Sequence, residues 1–354
     1  MLISIYKTLL VSFFLITPLS VFSTEKDRIQ EKPFNTSELI FHHIKDSHGF
    51  HIAGHISMPL PVILWTDKGL VTFMSGEFHH DTEGKTVVTK KGLKFVNIHE
   101  KIYQLNEGAT TVEFGQESRP LNATRPIDFS ITKNVFSLFL SIIVMLLVFL
   151  TVAKSYKKST TGLPTGIGKF MEPIILFIRD EVAIPNIGKK YNRYMPFLLT
   201  LFFFIWLNNI FGLIPFFPFS SNLSGNIAFT MTLAAVTFII TLFSSKKYYW
   251  KHMLWMPGLP IPMKLFLAPI EFMGMFIKPI ALTIRLFANI TAGHIIVLSL
   301  VSLTFIFQNY IVGAGSVLFV VFISIIEVLV VAIQAYIFTM LSALYFGQAL
   351  EEVH

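Results

Sequence analysis

The chain has 354 residues, 53% of them hydrophobic and only 14% charged, with 37 Phe and a mean hydropathy of +0.64. Soluble domains carry roughly a quarter of their residues as charges, so this composition excludes a soluble protein of the same length. The 14 basic and 14 acidic side chains of residues 1–134 cancel, and the net +7 lies wholly in the apolar remainder. A pI near 9.4 therefore reflects loops that flank membrane segments, not a nucleic-acid surface. With no cysteine, disulfides and thiolate metal sites are excluded.

Residues 1–23 read as a signal peptide: Lys7, an apolar stretch from Leu9 to Leu19, and small residues before Thr24. An uncleaved anchor is the alternative, and either sends the next segment across the membrane. Residues 24–134 are polar, and Ser37 is placed to cap a short helix reaching Ile44. Short β-branched or aromatic runs follow at 51–56, 61–65, 70–74, 86–89 and 93–97, separated by Gly- or Asp-rich turns. They predict a small β-rich extracytoplasmic domain. Its histidines, among them His48, His51, His55, His79, His80 and His99, read as a solvated surface. His51 and His55 have the spacing of a helical metal pair, but Gly54 and the β-branched surroundings argue against a helix there, so no metal site is expected.

From Val135 the chain changes character. Residues 135–153 form an uncharged span that ends in the basic stretch Lys154 to Lys158. Over 165–184, Met171, Ile174, Ile175, Ile178 and Val182 recur at helical spacing opposite Arg179, Asp180 and Glu181, the pattern of an interfacial helix. Residues 194–245 hold no Asp, Glu, Lys or Arg; Pro215, Pro218 and the polar 220–226 divide them into two passes, 195–217 and 226–243. Residues 286–350 hold one such charge, Glu327, and Gly313 to Gly315 divides them, giving long helices over 262–307 and 316–347. Both exceed what a hydrocarbon core of roughly 30 Å requires, so they are expected to tilt or to bend at Pro269 and Pro279. The fold class is thus an all-α polytopic membrane protein of about five passes behind a small β-rich domain. Eight Lys/Arg in 154–193 and four in 246–264, against none in 216–225 and 308–315, place the basic loops and the C-terminus in the cytoplasm.

Arg285 lies within a helix otherwise fit for lipid. An arginine there costs about 2.5–3.5 kcal/mol and cannot escape by losing its proton, so it must face protein or water. Asn289 at i+4 and Lys278 at i−7 share its stripe. Glu327 and Gln334, seven apart, share a face of the last helix, and a carboxylate there is a proton relay or the partner of a cation. His294 is about half a turn out of phase with Arg285; alone it reads as a satisfied helix side chain, and with Glu327 as a titratable relay. Asn208 and Asn209 are polar groups that need partners in lipid, either another helix or an aqueous path.

The run Lys278–Gly293, followed by Glu327 and by Gln334–Phe338, resembles subunit a of the F-type ATP synthase, with 196–215 and 222–226 in support. The resemblance covers residues 135–347. It implies that Arg285 is the arginine facing a rotor ring of c subunits, that Asn289 and Gln334 sit close to it, and that Glu271 and Asn209 line aqueous half-channels. His294 and Glu327 stand at two positions where many members have Glu and then His, so the pair is exchanged here and His294 becomes a channel residue. Gly212 stands where some members have an acid. The implied partners are the c ring, b-type peripheral stalk subunits and the bilayer, in a bacterial inner membrane, with neither cofactor nor nucleotide bound by this chain. Catalysis would belong to the assembly. A secondary transporter is the first alternative, but no internal repeat is visible. A receptor or scaffold working through residues 24–134 is the second, and it leaves Arg285 and Glu327 without a purpose in lipid.

Overall fold

The computed structural model describes residues 45–53, 56–115, 120–158, 164–214, 217–219, 221–255 and 260–350. The signal segment, the helix expected over 37–44, and His55 and Pro215 lie outside them, as do the side chains of residues 51–56.

Among the described residues the polar part has nine strands in three antiparallel sheets. Strands β1 (Gly49–Ala53) and β2 (Ile56–Pro59) pair with each other. The run expected as one strand over 51–56 therefore belongs to two, because the chain reverses in the middle of it. Strands β3 (Pro61–Thr66), β4 (Gly69–Met74) and β9 (Ile127–Asp128) form the second sheet, and β5 (Val88–Lys90), β6 (Leu93–Ile98), β7 (Lys101–Leu105) and β8 (Ala123–Thr124) the third. Strand β3 shows the period of two expected of a half-buried strand: Val62, Leu64 and Thr66 are buried while Trp65 faces out. Phe95 of β6 joins Val62, Leu64, Phe73 and Phe78 in one core, and Val96 and Ile98 on the opposite face of β6 join Leu105 in another. Burial on both faces makes β6 the central strand of this part.

The β6–β7 hairpin turns on two residues, His99 and Glu100, with φ of 49° and 64°. Left-handed conformations at both positions are what a tight hairpin demands, and they normally select Asn or Gly. Glu100 accepts this conformation and its carboxylate reaches His48. His48 is not part of a solvated surface: it is 6% exposed, with Nδ1 3.9 Å from Glu100 and Nε2 3.7 Å from Asp128. Two carboxylates brought in from distant strands have drawn it inside, which its own neighbours in sequence do not show.

Among the described residues, five helices are long and apolar enough to cross a membrane. The first, α1 (Lys133–Lys158), turns Phe139, Ile143, Leu146, Leu147 and Leu150 outward and buries Asn134, Ser137 and Ser141. Small and polar residues on the inner stripe allow close approach to the next long helix, as Phe149 on Phe203 shows. Helix α2 (Ile167–Phe177) continues through a widened turn, Ile178–Ala183, into α3 (Ile184–Ile187). Pro185 cannot donate to the preceding turn, and the widened turn accommodates it. The apolar stripe of this element is buried at Met171, Ile178 and Val182, with Arg179 and Asp180 paired on the outside at 2.7 Å.

Helix α4 (Tyr191–Leu213) and α5 (Ile227–Ser244) are joined by a hairpin loop but pack less on each other than on the last two helices, α4 on Tyr310–Leu350 and α5 on Ile261–Phe307. The side chain of Asn226 caps α5 through the Ala228 N–H. A short α6 (Lys247–Leu254) precedes α7 (Ile261–Phe307) and α8 (Tyr310–Leu350), an antiparallel pair of 47 and 41 residues. At 1.5 Å per residue these run about 70 and 60 Å. Helix α7 continues unbroken through Pro269 and Pro279. The chain reverses at Gln308 and Asn309, not at Gly313 to Gly315. Gln308 supplies the left-handed residue (φ 46°), Asn309 Oδ1 accepts the Ile311 N–H at 2.9 Å, and both glycines lie inside α8.

Candidate ion-translocation site

Arg285 stands in the middle of α7, exposed on the helix surface. Leu282, Leu286 and Ile290 pack inward along the adjoining face, so hydrophobic burial fixes the rotation of α7 and leaves Arg285 outside. Among the described residues it makes no ion pair. Asn289 and Glu271 are exposed on the same stripe, and Lys278 is partly covered because its Nζ donates to Gln348 Oε1 at 2.9 Å and lies over the Tyr345 ring. Glu271 is fourteen residues from Arg285 toward one end of α7, about 21 Å along the axis, and His294 is nine residues toward the other, about 14 Å.

The pairing of α7 with α8 fixes what lies opposite. Lys278 meets Gln348, Gly293 meets Glu327, and Thr304 meets Gly313. Gln334 is seven residues from Glu327, as Leu286 is from Gly293, which brings Gln334 level with Arg285. Gln334 is buried, and no hydrogen bond joins it to Arg285 or Asn289 among the described residues. Glu327 is also buried, at 7% exposure, and its Oε1 has no protein partner. Its carboxylate lies against Gly293: a Cβ built there would stand 2.5 Å from Oε1 and 2.9 Å from Cδ. His294 follows on the chain and turns toward α4, where a Cβ on Gly212 would be 3.9 Å from its Nε2 and 3.1 Å from the Ser221 carbonyl. Gly212 thus leaves room for the Ser221 carbonyl, while His294 Nε2 lies at ordinary contact distance beside it.

Asn208 and Asn209, alike in the sequence, behave differently. Asn208 Nδ2 donates to its own helix at Phe204 O, 2.7 Å, whereas Asn209 Nδ2 is buried with no protein partner. Other buried polar atoms without protein partners include Asn222 Nδ2, Ser224 Oγ and Thr291 Oγ1. Such atoms cost free energy unless water or a transported ion satisfies them. Gly212 drew notice only through the resemblance, and Gly293, Ser221 and Thr291 were not singled out by the sequence, since small residues near apolar helices signal close packing just as often.

Ionisable groups this deep in apolar helices are costly in lipid, and where they are kept they mark ion pathways or paired charges. The molecule is of the class of ion-conducting membrane subunits that work within an assembly. The family model described as ATP synthase A chain matches residues 135–347. ATP synthase subunit a of Chloroherpeton thalassium is 43% identical over 240 residues, 67% of this chain and 71% of that protein. Subunit a of Chlorobium phaeobacteroides is 44% identical over 243 residues (67% and 70%), and subunit a 2 of Prosthecochloris aestuarii 42% over 253 (69% and 76%). The chain belongs to the ATP synthase A chain family, subunit a of the F-type enzyme, and is a multi-pass membrane protein of ATP synthesis and proton transport. Residues 39–129 match a second family model, described as a domain of unknown function.

Proposed function

We propose that this chain is the stator of the proton motor, with Arg285 facing a ring of c subunits. The observation that carries the reading is the arginine itself: uncovered, unpaired among the described residues and midway along a membrane-length helix. Lipid is excluded as its neighbour by a cost of about 2.5–3.5 kcal/mol. A carboxylate passing on a partner's surface removes that cost through a charge-assisted pair.

A proton enters by one half-channel, neutralises a ring carboxylate, rides round through lipid, and leaves by the other half-channel. Arg285 favours the ionised carboxylate as it passes, and its fixed positive charge repels a proton crossing directly between the half-channels. Glu327, His294 and Asn209 line one half-channel; Glu271, on the far side of Arg285, belongs to the other. Gln334 and Asn289 flank the arginine. Each charge moved down the membrane potential yields about 2.3 kcal/mol per 100 mV, so several must pass per ATP. The β-rich part lies outside a bacterial inner membrane and the C-terminus inside, as the basic loops direct. Stalk subunits of the b type hold the chain against rotation.

The test is ATP-driven acidification of membrane vesicles carrying Arg285→Ala, with passive proton leak measured after energisation. Pumping is expected to vanish with the assembly intact, and leak to rise. Near-normal coupled pumping would return Arg285 to a structural role.

A further inference from the structure

Among the described residues the β-rich part meets the membrane helices through a line of polar groups beside an apolar wall. The backbone N–H of Lys133, first residue of α1, donates to Ser47 O at 2.9 Å. The next N–H, of Asn134, donates to Asp46 Oδ1 at 3.1 Å. The Asn134 side chain accepts the Ser221 hydroxyl at 2.6 Å, with both residues buried. Ser221 is the residue whose carbonyl crowds Gly212 beside His294 Nε2. Lys133 lies within electrostatic range of Asp46, Glu100 and His294. Beside this line Phe50, Phe136 and Phe217 pack at 5.3 to 6.3 Å between centroids, an apolar wall joining β1, α1 and the hairpin loop.

We propose that the β-rich part forms the outer mouth of the Glu327–His294 half-channel, with Asp46 as its entry relay and the Asn134–Ser221 bridge as the passage into the membrane. This rests on the rotor-facing reading of the membrane part. Asp46 is half-buried, so one side is open to water and the other touches the line of polar groups. Burial pushes its carboxyl above the ordinary value, against the opposing pull of Thr132, the Asn134 N–H, Lys133 and His48. A carboxyl so raised takes up and gives up protons more readily near neutral pH than an exposed one.

His48 holds the mouth together instead of carrying protons. Burial alone would lower it, but Asp128 and Glu100 raise it to about 9, so it stays a cation at neutral pH. At 3.7 and 3.9 Å its contacts are ionic rather than hydrogen-bonded. The charged groups facing Asp46 are thus Lys133 and His48, and those facing His48 are Asp46, Glu100 and Asp128. The left-handed Glu100 fits this role, since a glutamate held where glycine is favoured costs stability that its carboxylate returns at His48. Transfer conserves the count of protons: Asp46 hands one to water along the Asn134–Ser221 bridge, that water passes it to His294, and Asp46 is recharged from the water outside.

The test uses the complete synthase in membrane vesicles, with passive proton conduction recorded after the soluble sector is removed. Asp46→Asn keeps the oxygen that accepts the Asn134 N–H but cannot carry a proton, and conduction is expected to fall severalfold, with Asp46→Glu restoring much of it. Because the chain has no native cysteine, Ser221→Cys gives a single thiol in this chain, and the unsubstituted synthase treated with the same reagent is the control. A small membrane-impermeant thiol reagent is expected to stop conduction when added on the outer side and not on the inner. Wild-type conduction in Asp46→Asn would overturn the proposal. So would a Ser221→Cys protein indifferent to the reagent outside, which decides the matter if the Asp46 variants do not assemble. Arg285→Ala in parallel separates the two readings: normal pumping there sinks the rotor-facing assignment, whereas lost pumping beside unaltered Asp46→Asn conduction sinks only the mouth.

Discussion

A methyl group on Gly293 would meet Glu327 Oε1 at 2.5 Å, a separation no real Cβ keeps, so the carboxylate would have to leave its seat. Gly293→Ala is therefore expected to displace Glu327 at a cost of about 1–3 kcal/mol and to slow ATP-driven acidification, with the assembly retained. Pumping rates scored beside assembly level in the same vesicles check this. The contrast with Arg285 shows what a sequence discloses at this scale. A charge inside a lipid-length apolar run has few explanations, so Arg285, Glu327 and Gln334 stand out without coordinates. Gly293 does not, because its importance lies in what the opposite helix brings against it. His48 was hidden for the same reason: its partners arrive on the β6–β7 turn and on β9, and eight similar histidines in a polar segment offer no means of choosing among them.

The longest helices show how two glycines of one element differ. A Cβ on Gly347 of α8 would collide with the Asn186 carbonyl, a backbone atom that cannot swing aside, whereas Gly315 has nothing within 4 Å. Gly347→Ala is expected to weaken the packing of α8 on α3 by about 1–3 kcal/mol or more. Gly315→Ala is expected to be neutral or to stabilise α8 by up to about 1 kcal/mol, as an interior helical glycine should. Thermal unfolding of the two purified variants in detergent distinguishes them. The same reasoning explains the misplaced break between α7 and α8. Two glycines close together read as a turn, but Gln308 and Asn309 make the turn with a left-handed residue and a side-chain cap, a device with a weaker signature in composition. Strands from Pro61 to Ile98 were legible by their alternation and turn residues; β7 was not, because the tight turn before it uses His99 and Glu100 where Asn and Gly are expected.

At the level of the molecule, ionic contacts tie the β-rich part together and tie its stability to pH. His48 is raised from 6.5 to about 9, so its contribution is fully present below pH 6.5 and is lost as pH rises through 9. Asp128 is lowered from 3.8 to about 2, as the pull of His48 and Ser130 outweighs burial, so its share is present above pH 3.8 and lost toward pH 2. Hydrogen exchange of the strands in the detergent-solubilised chain is expected to accelerate between pH 7 and 9 beyond the intrinsic rate. His48→Ala, which takes the imidazolium from between two carboxylates at 18% exposure each, is expected to cost about 3 kcal/mol and to remove that dependence.

The bare face of α7 also bears on the life of the chain before it meets any partner. An arginine exposed midway along a membrane helix leaves a newly made copy with a debt of about 3 kcal/mol to the bilayer. Thinning lipid around that helix relieves it only in part. A copy without a partner over that face thus carries a cost that no rearrangement of its own side chains removes.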